Sequence, residues 1–125
     1  MNERKKILVV EDEIDIQTYI STLFQDHGYE VLTAENGKDG YELAKTAKPD
    51  LITLDIAMPS QSGMRTFRMF KDSEELKKIP VIIITGMGED VNSFIKRLKG
   101  FSQPEGFMGK PIEEAKLLEM VSDLI

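Results

Sequence analysis

Short apolar runs alternate with amphipathic stretches along this chain, and that alternation predicts its elements. Residues 5–10 contain the β-branched run Ile-Leu-Val-Val, too short for a helix, which predicts a strand buried on both faces. A helix follows over about 13–26, with Ile16, Tyr19, Ile20, Leu23 and Phe24 at three- and four-residue spacing, and Gly28 suits a left-handed cap behind it. Glu30–Ala34 reads as a brief strand, Asn36-Gly37 as a turn or helix start, and 37–47 as a helix with the narrow stripe Tyr41, Ala44 and Ala47, ended by Pro49. A third strand covers 50–55 and stops before Pro59; a loop over 56–62 leads to a helix over about 63–72 carrying Met64, Phe67 and Phe70.

The second half repeats the pattern. Pro80 opens a strand over Val81–Thr85, and Gly86-Met87-Gly88 forms a loop of little bulk. A helix over about 89–99 starts with two acids, Glu89 and Asp90, and turns Val91, Phe94, Ile95 and Leu98 inward before Gly100. A last strand over about 105–109 runs into Lys110-Pro111, with Pro111 expected in the first turn of a final helix. That helix carries two apolar stripes, Ile112, Ala115, Leu118 and Val121, then Leu117, Met120 and Leu124; the second suits either a partner or a wide core face. Strand and helix thus alternate five times, which predicts an α/β fold with a parallel sheet and helices on both faces. Right-handed crossovers restrict the strand order to a few choices.

Composition narrows the function classes. At 125 residues the expectation is one domain, 1–125, and no apolar run reaches the roughly 18 to 20 residues that span a bilayer. A polar Met1–Lys6 without a signal-type apolar stretch leads us to expect a cytoplasmic protein with no membrane insertion. The absence of cysteine excludes disulfides, thiolate catalysis and cysteine-ligated zinc. A net charge of −6 argues against direct nucleic-acid binding, the local exception Lys96, Arg97 and Lys99 reading first as a solvated helix face and second as a docking patch.

In a parallel sheet the carboxyl ends of the strands line one edge, where ligands bind. Four of the five expected strands end there in polar groups: Glu11 and Asp12, Asp55, Thr85, and Lys110. Each alone has an ordinary explanation, since acids cap helices and turns, threonine favours strands and lysine before proline is commonly a surface residue. As a set they are complementary. Three carboxylates raise one another's pKa unless a cation sits among them, and hard oxygen donors suit Mg²⁺. A lysine and a hydroxyl beside them suit phosphoryl oxygens, which equips an aspartate to act as a phosphoryl-accepting nucleophile.

The segments VVEDE, DLITLDIAMPSQSG, VIIITGMG and FMGKP, in that order and over essentially the whole chain, resemble the four marker segments of the bacterial response-regulator receiver domain, here of the stand-alone, chemotaxis-regulator type. The resemblance implies a flavodoxin-like fold with strand order 2-1-3-4-5. It implies that Asp55 accepts a phosphoryl group from the phosphohistidine of a sensor histidine kinase or phosphotransfer protein. By the same match Glu11, Asp12, Asp55 and the backbone carbonyl of Ala57 would hold Mg²⁺, Lys110 would pair with the phosphoryl group, and the Lys110-Pro111 bond would be cis. Thr85 would turn toward the phosphoryl group and Phe107 would rotate inward behind it, although plain core packing also accounts for Phe107. The surface formed by the fourth helix, fifth strand and fifth helix would then change shape for a separate target protein or a phosphorylation-linked homodimer.

Three departures from the family pattern stand out. Glu11 replaces a frequent Asp, Phe107 lacks the hydroxyl of the more usual Tyr, and residues 100–110 run about three residues longer, which bears on the fifth strand's geometry. Ala57 and Met87, two residues beyond Asp55 and Thr85, match positions that govern water's approach, and both being apolar leads to the expectation of a persistent phosphoryl-aspartate. The chain ends near the expected fifth helix, so no output domain is anticipated. Two other function classes compete: a phosphate-independent scaffold on the same fold, and an aspartyl-nucleophile phosphatase. The latter usually carries a second Asp two residues on, where Ala57 stands.

Overall fold

A computed structural model describes residues 4–56, 62–86 and 103–125. The strands are β1 (Lys6–Val10), β2 (Glu30–Ala34), β3 (Leu51–Asp55), β4 (Val81–Thr85) and β5 (Gly106–Gly109). The helices are α1 (Ile14–Asp26), α2 (Gly37–Ala47), α3 (Ser62–Asp72) and, in this numbering of the described elements, α4 (Glu114–Leu124). All strand pairs are parallel and the order is β2-β1-β3-β4-β5. Every position of the central strands β3 and β4 is buried, in keeping with their largely apolar sequences, and the buried positions include the polar Thr53, Asp55 and Thr85.

Alternation along each strand divides the core into two halves. Leu8, Val10, Ile52, Leu54, Val81 and Ile83 face α2 and α3, where Ala44, Phe67 and Phe70 cover them. Ile7, Val9, Leu51, Ile82 and Ile84 face α1 and α4, where Ile20, Phe24, Leu117 and Val121 cover them. The sheet is therefore sandwiched, and its carboxyl edge is left to loops.

Local chemistry sets the boundaries. Gly28 adopts φ +92, the left-handed conformation that a Cβ penalises, one residue after the α1 cap at His27. The Asn36 side chain accepts from the Asp39 amide at 2.8 Å and starts α2, whose end is Lys48 in the left-handed region just before Pro49. Glu105 fixes the entry to β5: its carboxylate pairs with Lys71 at 2.9 Å and accepts from the Val81 amide at 2.8 Å. The pairing of β5 with β4 is regular, from Ile82 beside Gly106 to Thr85 beside Gly109.

Three expectations are corrected. Pro111 does not lie in the first turn of the final helix, because residues 110–112 carry the chain off the sheet edge and Glu113, in extended conformation, is the N-cap. Nor do the stripes of that helix divide as expected. Leu117 and Val121 are its buried pair, flanked by Met120 and Leu124, whereas Ala115 is exposed. On α1, Tyr19 likewise faces outward while Gln17 is buried. The helix expected over 89–99, with Lys96, Arg97 and Lys99, and the loop residues Ala57, Pro59, Met87 and Gly88 lie outside the described residues.

At Gly37 helix α2 lies close against α3, and a Cβ there would stand 1.8 Å from Thr66 Oγ1. Gly37→Ala should therefore cost about 1–3 kcal/mol through overpacking. Adding Thr66→Ala, which removes the opposing hydroxyl, should recover part of it. A urea double-mutant cycle checks this, and strictly additive changes would contradict the contact.

Candidate functional site

Glu11 and Asp12 follow β1, Asp55 ends β3, Thr85 ends β4 and Lys110 follows β5. Because all five strands run in parallel, these groups meet at one edge although Glu11 and Lys110 are 99 positions apart in the chain. Glu11, Asp55 and Thr85 are buried, and Asp12 is half-buried. One carboxylate oxygen from each of Glu11, Asp12 and Asp55 lies within 4.8 Å of the others.

Lys110 closes the group. Its Nζ donates to Glu11 Oε1 at 3.2 Å and to Asp55 Oδ2 at 3.4 Å, with Glu13 Oε1 farther out at 3.9 Å. Its backbone amide donates to the Thr85 carbonyl at 2.9 Å, which anchors the lysine to the end of β4. The Lys110-Pro111 bond is cis, as the resemblance to receiver domains implies. Phe107 sits on β5 beside Ile83, half-buried against the α2–α3 half of the core.

Two contributors were not singled out from sequence. Gln17 Nε2 donates to the Glu11 carbonyl at 3.0 Å and the Ala34 carbonyl at 3.4 Å, tying the acidic turn to α1. A polar residue three before Ile20, on the buried side of α1, was the available signal. The Glu13 amide donates to Glu11 Oε2 at 3.1 Å and so orients that carboxylate. Ala57 and Met87 cannot be placed, being outside the described residues.

The electrostatics follow from crowding acids in a dry pocket. Burial pushes the Glu11 carboxyl up from 4.5 to about 7; the Asp55 charge adds to this, while the Glu13 amide and Lys110 pull part of it back. For Lys110 burial acts downward, but the carboxylates of Asp55 and Glu11 outweigh it and its pKa is raised. The lysine is thus a fixed cation shared by two acids, and the pocket keeps an excess of negative charge.

Comparison with known proteins decides the family. The response regulator receiver domain matches residues 7–122. The chain belongs to this family. PilH of Pseudomonas aeruginosa is 32% identical over 96% of this chain and 97% of its own length. The polar-differentiation response regulator DivK of Brucella anthropi is 31% identical over 97% of this chain and 96% of its own length. The chemotaxis protein CheY4 of Vibrio cholerae superposes with a TM-score of 0.88 at 28% identity, covering 98% of this chain and 100% of that one. The receiver is accordingly a flavodoxin-like signalling domain of two-component systems, and no described helix is long and apolar enough to cross a membrane.

The Glu11 shift has a measurable consequence. Between about pH 4.5 and 7 the folded receiver holds a proton on Glu11 that the unfolded chain has released, so stability in chelator should fall as pH rises through this window. Glu11→Gln should remove that part of the fall. Urea unfolding across the window checks it, and identical pH dependence in both proteins would contradict it.

Proposed function

We propose that this receiver accepts a phosphoryl group on Asp55 from the phosphohistidine of a sensor histidine kinase or phosphotransfer protein and passes the signal to a separate protein. The observation carrying this reading is the convergence of Glu11, Asp12, Asp55 and Lys110 from separate segments on one edge. An Asp55 oxygen attacks phosphorus, the P–N bond to the donor imidazole breaks, and the imidazole keeps the electron pair. Lys110, 3.4 Å from Asp55 Oδ2, is placed to neutralise charge on the transferring oxygens, and the Thr85 hydroxyl at the neighbouring strand end is a suitable donor to them.

The donor set fits Mg²⁺: the carboxylates of Glu11, Asp12 and Asp55 are hard oxygen ligands with an oxygen of each within 4.8 Å of the others, and burial together with the Asp55 charge raises the Glu11 carboxyl. Together with the Ala57 carbonyl they would hold the ion, whose chemistry is to neutralise the phosphoryl oxygens. Lys110, with one ammonium between two acids, leaves negative charge for it to balance.

Switching then begins at the same edge. Lys110 leaving Glu11 for a phosphoryl group, and Thr85 turning toward it, would pull on the ends of β4 and β5, and Phe107 on β5 is positioned to follow. The surface expected to respond includes residues outside the described ones. Two-component partners fit an exposed apolar surface here: Tyr19, 42% exposed, lines a small apolar hollow with Ile16, Lys110, Pro111 and Ile112, and Ile14, 61% exposed, follows the acidic turn at the start of α1. We read this as the seat of the phosphodonor protein. A phosphatase acting on external substrates is disfavoured by Ala57, and a passive scaffold by the assembled acids and lysine.

Incubation with acetyl phosphate and Mg²⁺ should give a species about 80 Da heavier by intact mass, absent with Asp55→Asn or excess chelator. Lys110→Ala should slow its formation by at least about ten-fold. Turnover of a phosphate monoester would support the phosphatase, and no adduct the scaffold. Ile14→Asp with Tyr19→Ala should slow transfer from a phosphorylated histidine phosphotransfer domain by about ten-fold or more, leaving acetyl phosphate unaffected. Equal slowing with both donors would place these residues in the chemistry instead.

A further inference from the structure

A trough runs between α2 and α3, and none of Glu11, Asp12, Asp55 and Lys110 lines it. It has a volume of about 390 Å³ and is lined by Lys38, Tyr41, Glu42, Arg65, Thr66 and Met69. Its floor is firm: Tyr41 rests on the buried Phe70 with ring centroids 6.0 Å apart, and Thr66 is buried against Gly37. Its rim is exposed, with Lys38, Glu42, Arg65 and Met69 all open to solvent. An open trough of this kind covers one side of an occupant rather than enclosing a small molecule, and an exposed methionine on an apolar floor adapts to varied side chains.

Charge selects the occupant. The trough's charged lining is Lys38 and Arg65 against Glu42. That surplus of one positive charge stands on a chain of net charge −6. A long polyanion such as nucleic acid meets the repulsion of the whole molecule. A short acidic segment senses only charges within about 8 Å at physiological salt, where Lys38 and Arg65 dominate. We propose that the α2–α3 trough docks an acidic segment of a partner protein, one large apolar side chain resting on Tyr41 and Met69 and its carboxylates paired with Lys38 and Arg65. This surface is independent of the reaction at Asp55 and goes beyond it.

A random dodecapeptide library displayed on phage and selected against the full chain tests this without knowing the partner. Recovered peptides, synthesised with a fluorophore, are titrated against the wild type and against Lys38→Glu/Arg65→Glu, two exposed positions whose reversal leaves the core untouched. The expected result is enrichment of net-negative peptides containing a large apolar residue. Their affinity should fall at least ten-fold in the double variant and several-fold in Met69→Ala, with amide shifts in wild type confined to α2 and α3. Failure to enrich, peptides without acidic residues, or affinities unchanged by the double reversal would overturn the proposal. So would a labelled single-stranded oligonucleotide that binds the trough more tightly than the peptides.

Discussion

The ammonium of Lys110, shared between the carboxylates of Glu11 and Asp55, is the contact on which the rest of this receiver's site depends. Its partners' side chains are only 2% and 4% exposed, and it is 17% exposed itself, so none of the three can discharge its electrostatic cost to water. One cation against two buried acids, with Asp12 beside them, leaves an unbalanced pocket, and burial, with the Asp55 charge adding to it, raises the Glu11 carboxyl. A site of this kind is poised to gain from further positive charge and from moving its lysine onto a new anion.

The sheet makes the contact reachable. Strands β1, β3, β4 and β5 run parallel with regular register, so groups that follow each of them arrive at a common edge without any loop having to fold back. Pinning at the opposite end of β5, where Glu105 joins Lys71 and the Val81 amide, secures the strand that delivers Lys110. At the carboxyl edge the Lys110 amide is bonded to Thr85 and the Glu11 carbonyl to Gln17, so backbone as well as side chains are held. Movement of β4 and β5 therefore couples directly to the pocket, the arrangement expected of a two-state signalling domain.

Much of this was legible in the chain because its signals were local and redundant. The β2 and α2 boundaries read from sequence coincide with the observed ones, since Gly28, Asn36 and Pro49 mark them by backbone chemistry rather than by side-chain packing. The sheet order was not readable from periodicity, which permits several right-handed arrangements, and came from the resemblance of four segments in register. Tyr19 and Ala115 were misplaced on their helices because an apolar residue at helical spacing does not reveal how wide the covered stripe is; Tyr19 instead reaches the Glu114 carboxylate from the solvent side. Gln17 was missed for the converse reason. Its burial is accounted for by two carbonyls, that of Glu11 just after β1 and that of Ala34 at the end of β2, and the helical pattern alone does not announce them.

The account stands on Asp55 being the oxygen that the pocket prepares. After brief exposure to acetyl phosphate and Mg²⁺, borohydride reduction converts an aspartyl phosphate to homoserine, and tandem mass spectrometry of the digested receiver then locates it. Homoserine at position 55 alone is the predicted result. Homoserine at Asp12, at another acid, or at no position in a chain shown to be folded would contradict it.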